Sequence, residues 1–329
     1  MCGITGLIDF THSTKEDEIE GMTKTLHHRG PDSFGFENYY FKEAFIGFGQ
    51  TRLAIIDITS GGHQPMHFEY LSIVFNGEIY NFKEIKEELN KVGHIFLSTS
   101  DTEVILHAYY EWGEKAVDKF IGMFVFTILD RKEMKVKIFR DRAGVKPLYY
   151  YYKNGLFLFG SELKSLMKNY KFERIINKSI VPTYLQYGYI PAPHTIFENC
   201  YKILPGNIIN IDLENQSVSA YQYWDVKEFY FKPKLDISFN EAKAMIHDLL
   251  ISACNYRMVS DVPVGVFLSG GYDSTAITSI LQSQRSDKLK TFTIGLFDGN
   301  NEAIDAKRQL NFWELTIMSC IAPSRTLKV

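Results

Sequence analysis

Met1-Cys2-Gly3-Ile4-Thr5-Gly6-Leu7-Ile8-Asp9-Phe10 opens the chain. Residues 3–10 are apolar and punctuated by glycine, the pattern of a buried opening strand. No basic stretch leads into an apolar core, so no secretory leader is expected here. The small residues after Met1 favour its removal, which leaves Cys2 with a thiol and a free α-amine on one residue. A thiolate attacks carbonyl carbon, and an α-amine with a reference pKa of about 8 can shuttle protons near neutral pH.

Working outward, a chain of 329 residues with 45% hydrophobic content suggests two domains and a substantial core. Cys2, Cys200, Cys254 and Cys320 are widely spaced, without a metal or disulfide pattern, which points to a reducing, cytoplasmic setting. The net charge of −3 is mixed along the chain, so no nucleic-acid surface is expected. No apolar run is long enough for a membrane helix. The abundant Phe and Tyr are scattered, as in core packing.

Strand-like runs are expected over residues 44–50, 53–58, 71–76, 120–129 and 136–141, with helices over 17–26, 82–92 and 101–112, the last with Asp101 in a capping position. Asn154-Gly155 between aromatic-rich runs marks a hairpin. Asn76-Gly77 likewise reads as a type I′ turn that projects a backbone N–H. Together these fit a two-layered sheet core covered by helices. Composition shifts over residues 191–235, read as a junction. Beyond it, a long helix over 239–258, an apolar run ending in Ser269-Gly270-Gly271, a helix over 275–284 and a strand over 291–296 begin a parallel α/β unit with two strands.

Met1-Cys2-Gly3-Ile4-Thr5-Gly6, Arg29-Gly30-Pro31-Asp32, Arg52-Leu53-Ala54-Ile55-Ile56-Asp57, Phe75-Asn76-Gly77-Glu78-Ile79-Tyr80-Asn81 and Ser100-Asp101-Thr102-Glu103 resemble, in order and spacing, the class II glutamine amidotransferase domain of glutamine-hydrolysing asparagine synthetases. The resemblance implies an N-terminal nucleophile (Ntn) hydrolase, an α/β/β/α sandwich over residues 1–190. Cys2 would be the nucleophile and its amine the general base and acid. The Asn76 side chain and the Gly77 N–H would form the oxyanion hole. Arg52 would grip the glutamine α-carboxylate, with Glu78 and Asp101 on its ammonium side. Arg29-Gly30-Pro31-Asp32 is a lid or structural loop. Asp141 to Tyr150, also a family signature, is assigned to folding and domain contact.

Leu268-Ser269-Gly270-Gly271-Tyr272-Asp273-Ser274 lacks the Walker lysine and resembles the pyrophosphate loop of ATP-pyrophosphatase domains. That implies a Rossmann-like α/β domain over residues 236–308, cut short. Ser269, Gly270, Gly271 and Ser274 would hold phosphate oxygens of ATP, Asp273 would lie near pyrophosphate-bound Mg2+, and Leu268 and Ile294 would lie near the nucleoside. In the family ATP converts aspartate to β-aspartyl-AMP, which ammonia from glutamine attacks. Residues 301–308 still resemble a family helix, whereas the tail 309–329 departs from it, and a truncated synthetase half with residual glutaminase activity is the expectation. The implied partners are glutamine, aspartate and ATP, with a homodimer as a candidate assembly. Two alternatives stay open: an amidotransferase acting on another carboxylate, and a non-catalytic glutamine- or nucleotide-sensing module.

Overall fold

In the computed structural model, which describes residues 1–296, 306 and 316–322, the opening segment forms β1 (Gly3–Asp9), buried along its whole length. In chain order follow α1 (Glu18–Lys24), β2 (Ser33–Tyr40), β3 (Phe45–Arg52), β4 (Met66–Phe68), β5 (Leu71–Ile79), α2 (Phe82–Lys91), α3 (Asp101–Trp112), α4 (Ala116–Lys119), β6 (Gly122–Asp130) and β7 (Lys135–Arg140). Then come β8 (Tyr149–Lys153), β9 (Leu156–Gly160), α5 (Leu163–Leu166), α6 (Val181–Tyr187), β10 (Cys200–Lys202), β11 (Asn207–Asp212), β12 (Ser217–Gln222) and α7 (Val226–Tyr230). These belong to one compact unit, residues 1–232.

The strands form two six-stranded sheets, ordered β10-β8-β9-β1-β3-β2 and β12-β11-β7-β6-β5-β4. Side chains alternate between faces along each strand, and the two sheets pool one set of faces. Ile4, Ile8, Phe48 and Phe159 from the first sheet pack with Val74, Val125, Ile138 and Ile209 from the second. The opposite face of the first sheet, through Leu7, Phe45 and Leu158, takes Ile19 and Met22 of α1 and Leu166 of α5. On the second sheet, α3 brings Tyr109 edge-on to Phe139 of β7, and Phe139 stacks on Phe126. Each such buried side chain is worth about 1.5–3 kcal/mol. Asn154 and Gly155 join β8 to β9 with positive φ at both residues, as that dipeptide predicts.

Three local expectations are corrected. Asn76-Gly77 is not a turn: β5 pairs without interruption with β6 from Leu71↔Asp130 to Ile79↔Gly122. The glycine serves close approach instead, since a Cβ on Gly77 would lie 2.2 Å from the Met123 carbonyl and 2.6 Å from the Phe124 Cα. Residues 53–58 are a loop rather than a strand, because the Arg52 guanidinium gathers the backbone carbonyls of Ile56, Asp57 and Thr59 around itself. The cap of α3 is Ser100, whose hydroxyl accepts from the Thr102 N–H at 3.2 Å. Asp101 is the first helical residue, which frees its carboxylate for other work. The stretch 191–235, distinct in composition, supplies β10, β11 and β12 to the two sheets.

The second unit covers residues 233–329. Its long helix α8 (Phe239–Tyr256) starts at a Ser238/Glu241 capping box. Next come β13 (Val266–Phe267), α9 (Tyr272–Ser283), β14 (Lys290–Leu296) and β15 (Thr316–Ala322). The sheet is parallel, ordered β13-β14-β15. This corrects the expected pair of strands: the apolar tail supplies a third, with Ile294 opposite Cys320. The expected helix over residues 301–308, apart from residue 306, and the tail outside 316–322 lie beyond the described residues, as does the side chain of Ile294.

Candidate active site

Cys2 stands just ahead of β1, one residue beyond the Gly3↔Thr51 pair with β3. Its sulfur accepts the Leu53 N–H at 3.4 Å and its thiol faces the Leu53 carbonyl at 3.6 Å. The Arg29 Nε donates to the Cys2 carbonyl at 2.9 Å, and its Nη1 to Glu162 at 3.0 Å. Against the cost of burial, bonds from Arg29, Lys164 and His28 hold Glu162 down to about 2. The Cys2 backbone is thereby fixed by a charged clamp, which gives Arg29-Gly30-Pro31-Asp32 a structural part beside the thiol.

A cavity of about 240 Å³ opens at Cys2, walled by Arg52, Asn76, Gly77, Glu78 and Asp101, and also by Met1, Gln64, Thr102, Met123 and Lys146. The structure thus brings together every glutamine-site residue expected from the sequence. Asn76 is fully buried, and neither its Oδ1 nor its Nδ2 has a hydrogen-bond partner among the described residues. A buried, unpaired amide costs about 1–3 kcal/mol, and this one lies in the cavity wall.

The Gly77 N–H is available for the same reason, which lies in strand geometry. In an antiparallel ladder, N–H groups point to alternate edges. Phe124, opposite Gly77, turns both its backbone groups to Asp141: its N–H donates to Oδ2 at 3.2 Å and its carbonyl accepts from the Asp141 N–H at 2.9 Å. Gly77 therefore faces the other edge of β5, where β4 pairs with Leu71, Ser72 and Ile73. The neighbouring N–H groups on that edge are taken by side chains. Phe75 donates to Gln64 Oε1 at 2.6 Å and Ile79 to Asp101 Oδ2 at 3.0 Å. Gly77 lies between them, with its donor toward the cavity.

Electrostatics sort the remaining groups. Burial, reinforced by the charge of Glu78, pushes the Asp101 carboxyl up to about 7. Burial also raises Glu78, with Lys146 pulling the other way. The Cys2 thiol is raised by burial, and its Leu53 bond and Lys146 oppose that shift. Arg52 reaches the cavity with its guanidinium already bonded to loop carbonyls.

Lys146 and Gln64 were not singled out in the sequence. Lys146 belongs to the Asp141 to Tyr150 signature assigned to folding, and that part is visible. Asp141 accepts from the Val145 and Lys146 N–H groups at 2.9 and 3.0 Å, while Arg140 donates to the Lys146 and Gly144 carbonyls. The pinned loop carries a lysine 4% exposed to the cavity wall. A lysine buried this far usually has a partner, and nothing in the local sequence marks it as buried.

In the second unit, Gly270 has φ +81°, and the Ser269 and Ser274 hydroxyls face each other at 3.0 Å. Gly271 donates to Ser269 Oγ at 3.4 Å and is the N-cap of α9. A Cβ at Gly271 would meet only the Ser269 hydroxyl, at 3.5 Å, so the loop is open above its backbone. Leu268 is buried, its N–H bonded to the Phe292 carbonyl and its own carbonyl to Thr293 Oγ1. Tyr272 is exposed. Hydroxyls, glycine N–H groups and a helix start form a donor set suited to phosphate oxygens. Among the described residues no three His, Cys, Asp or Glu side chains cluster as a metal site, and no helix is long and apolar enough to cross a membrane.

Residues 1–224 match the family model of the glutamine amidotransferase domain, and residues 245–316 that of asparagine synthase. A Methanocaldococcus jannaschii protein, described provisionally as glutamine-hydrolysing asparagine synthetase 2, is 40% identical over 321 residues, covering 91% of this chain and 60% of that one. Glutamine-hydrolysing asparagine synthetase 3 of Bacillus subtilis is 38% identical over 305 residues, covering 89% of this chain and 48% of its own. This chain thus spans 60% or less of the length of these relatives. A solved structure titled as the allosteric regulatory enzyme of purine biosynthesis superposes with a TM-score of 0.51 at 15% identity, over 97% of this chain and 80% of that one, a likeness of fold alone. The chain belongs to the family of glutamine-hydrolysing asparagine synthetases, with a glutamine amidotransferase domain followed by an asparagine synthase segment.

Proposed function

We propose that this chain hydrolyses glutamine at Cys2, as an Ntn hydrolase of the α/β/β/α type, and that the ammonia serves ATP-dependent amidation of aspartate. The observation that carries the reading is the pairing of a thiol with two unused donors, the Asn76 amide and the Gly77 N–H, in one cavity wall.

With Met1 removed, the Cys2 amine takes the thiol proton and the sulfur attacks the glutamine side-chain carbonyl carbon. The carbonyl oxygen becomes an oxyanion and is met by Asn76 Nδ2 and Gly77 N–H, preorganised donors that need no rearrangement. Collapse expels ammonia, which leaves with the proton held on the amine, and a thioester remains. Water, deprotonated by the same amine, cleaves the thioester to glutamate and restores the thiol. Asp101 and Glu78 hold the substrate ammonium. Arg52 presents its remaining donor capacity to the α-carboxylate.

In the second unit, Ser269, Gly270, Gly271 and Ser274 would bind phosphate oxygens of ATP, with Asp273 near the accompanying Mg2+ and Leu268 and Ile294 beside the nucleoside. ATP supplies activation of the acceptor carboxylate. The test is amino-acid chromatography after incubation with glutamine, ATP, magnesium and aspartate. Glutamate formed from glutamine alone supports the first half of the proposal, and asparagine formed in the full mixture supports the second. No glutamate above the buffer control sinks the first; glutamate without asparagine sinks the second for this chain.

A further inference from the structure

The edge of β5 that presents Gly77 has lost its neighbouring strand. The β4–β5 ladder stops at the Met66↔Ile73 pair, where β4 begins, so from Val74 onward no strand covers that edge among the described residues, and its N–H groups need other partners. Gln64, two residues before β4, supplies one. Its side chain is 3% exposed and bridges two elements: Oε1 accepts the Phe75 N–H at 2.6 Å and Nε2 donates to Thr102 Oγ1 at 3.1 Å. Thr102 is itself fixed, since its N–H donates to the N-cap Ser100 at 3.2 Å. On the far side of Gly77, Asp101 Oδ2 takes the Ile79 N–H. The oxyanion donor is thus bracketed by two side-chain tethers, each two residues away along the strand, both anchored in the first turn of α3.

We propose that Gln64 is a positioning residue for the oxyanion hole: by binding Phe75 and Thr102 at once, it sets the distance between the free edge of β5 and the start of α3, and so aims the Gly77 N–H. The proposal rests on the reading of Cys2 as the nucleophile. Positioning matters because a donor must meet the oxygen where it lies in the tetrahedral species, not in the ground-state amide. Without Gln64 the Phe75 N–H lacks a partner, and the strand edge is free to shift toward water or toward Thr102. Binding of glutamine through its α-amino and α-carboxyl groups involves other residues and is left intact.

The experiment compares wild type, Gln64→Leu and Thr102→Val, each checked for folding by circular dichroism. Steady-state glutaminase kinetics are measured alongside inhibition by glutamate γ-semialdehyde and by glutamate. The semialdehyde accepts the Cys2 thiol across its C=O bond, sulfur joining carbon and the proton passing to oxygen, so it reports on the hole. Glutamate reports on the rest of the pocket. In Gln64→Leu, kcat and semialdehyde affinity should fall together by about tenfold or more, against the 10²–10³ typical for outright loss of one oxyanion donor. KM and glutamate inhibition should stay within about twofold, with Thr102→Val changing in the same direction by less. Semialdehyde affinity and kcat within about twofold of wild type in a folded Gln64→Leu protein overturn the proposal. So does a parallel loss of glutamate affinity, which marks general damage. Should Gln64→Leu not fold, Thr102→Val alone decides by the same two criteria. Absence of glutamate release by wild type refutes the glutaminase reading instead, a distinguishable result.

Discussion

Asp101 Oδ2 accepts the Ile79 N–H at 3.0 Å, which ties the start of α3 to the strand that carries Asn76 and Gly77. Burial, with the charge of Glu78 adding to it, pushes this carboxyl up to about 7. In the proposed role it pairs with the ammonium of glutamine and does so as the carboxylate. The acidic limb of kcat/KM, which reports the free enzyme, should therefore lie near pH 7. Since the Glu78 charge adds to the shift, Glu78→Gln should move the limb to lower pH. A limb unmoved in Glu78→Gln contradicts the assignment.

The same shift has a stability consequence. A carboxyl whose folded pKa exceeds its unfolded value binds its proton more tightly when folded, so folding loses stability as pH rises from about 4 to about 7. Asp101→Asn removes that loss. Its melting temperature should exceed that of wild type at pH 8 and match it near pH 4, while glutaminase activity falls. Equal melting temperatures at pH 8 contradict the shift.

Lys146 is buried in the same wall as Cys2, among Glu78, Arg29 and Asp141. Its charge opposes the burial that raises the thiol. Lys146→Met should slow alkylation of Cys2 by iodoacetamide at pH 7.5 several-fold, followed on the Cys2 peptide by mass spectrometry, and Lys146→Arg should restore most of the rate. Identical alkylation profiles for wild type and Lys146→Met refute an electrostatic role.

His107 lies stacked between Phe68 and Phe96, with ring centroids at 3.8 and 4.4 Å, and its Nδ1 is 2.8 Å from that of His94. Burial, then the charge of His94, lowers it to about 4, with Lys86 adding to the shift and Glu103 opposing it. A base depressed on folding stays neutral in the native state, so its contribution is present above about pH 6.5 and lost as pH falls to about 4, on the order of 3 kcal/mol. His107→Phe should flatten denaturant-measured stability across that window. An unchanged slope contradicts the account.

Sequence and structure agree where local chemistry decides the outcome. The Asn154-Gly155 hairpin and the helices expected over residues 82–92 and 239–258 needed no tertiary information. Disagreement arises where distant partners override local preference. Asn76-Gly77 has turn composition, yet lies mid-strand because β6 pairs along its full length. Residues 53–58 have strand composition, yet coil around the Arg52 guanidinium. The resemblance supplied the residues of the cavity, but not what surrounds them. Gln64 and Lys146 are polar residues in loops, and only the fold reveals that both are buried against the site. β15 was hidden because its partner strand lies across an intervening segment rather than beside it in sequence.

The central claim is that the Cys2 thiol releases ammonia from glutamine. Glutamate production is to be measured on protein whose intact mass shows Met1 removed, for wild type and Cys2→Ala. Sustained release by wild type and none by Cys2→Ala is the predicted result; release that persists unchanged in Cys2→Ala would contradict it.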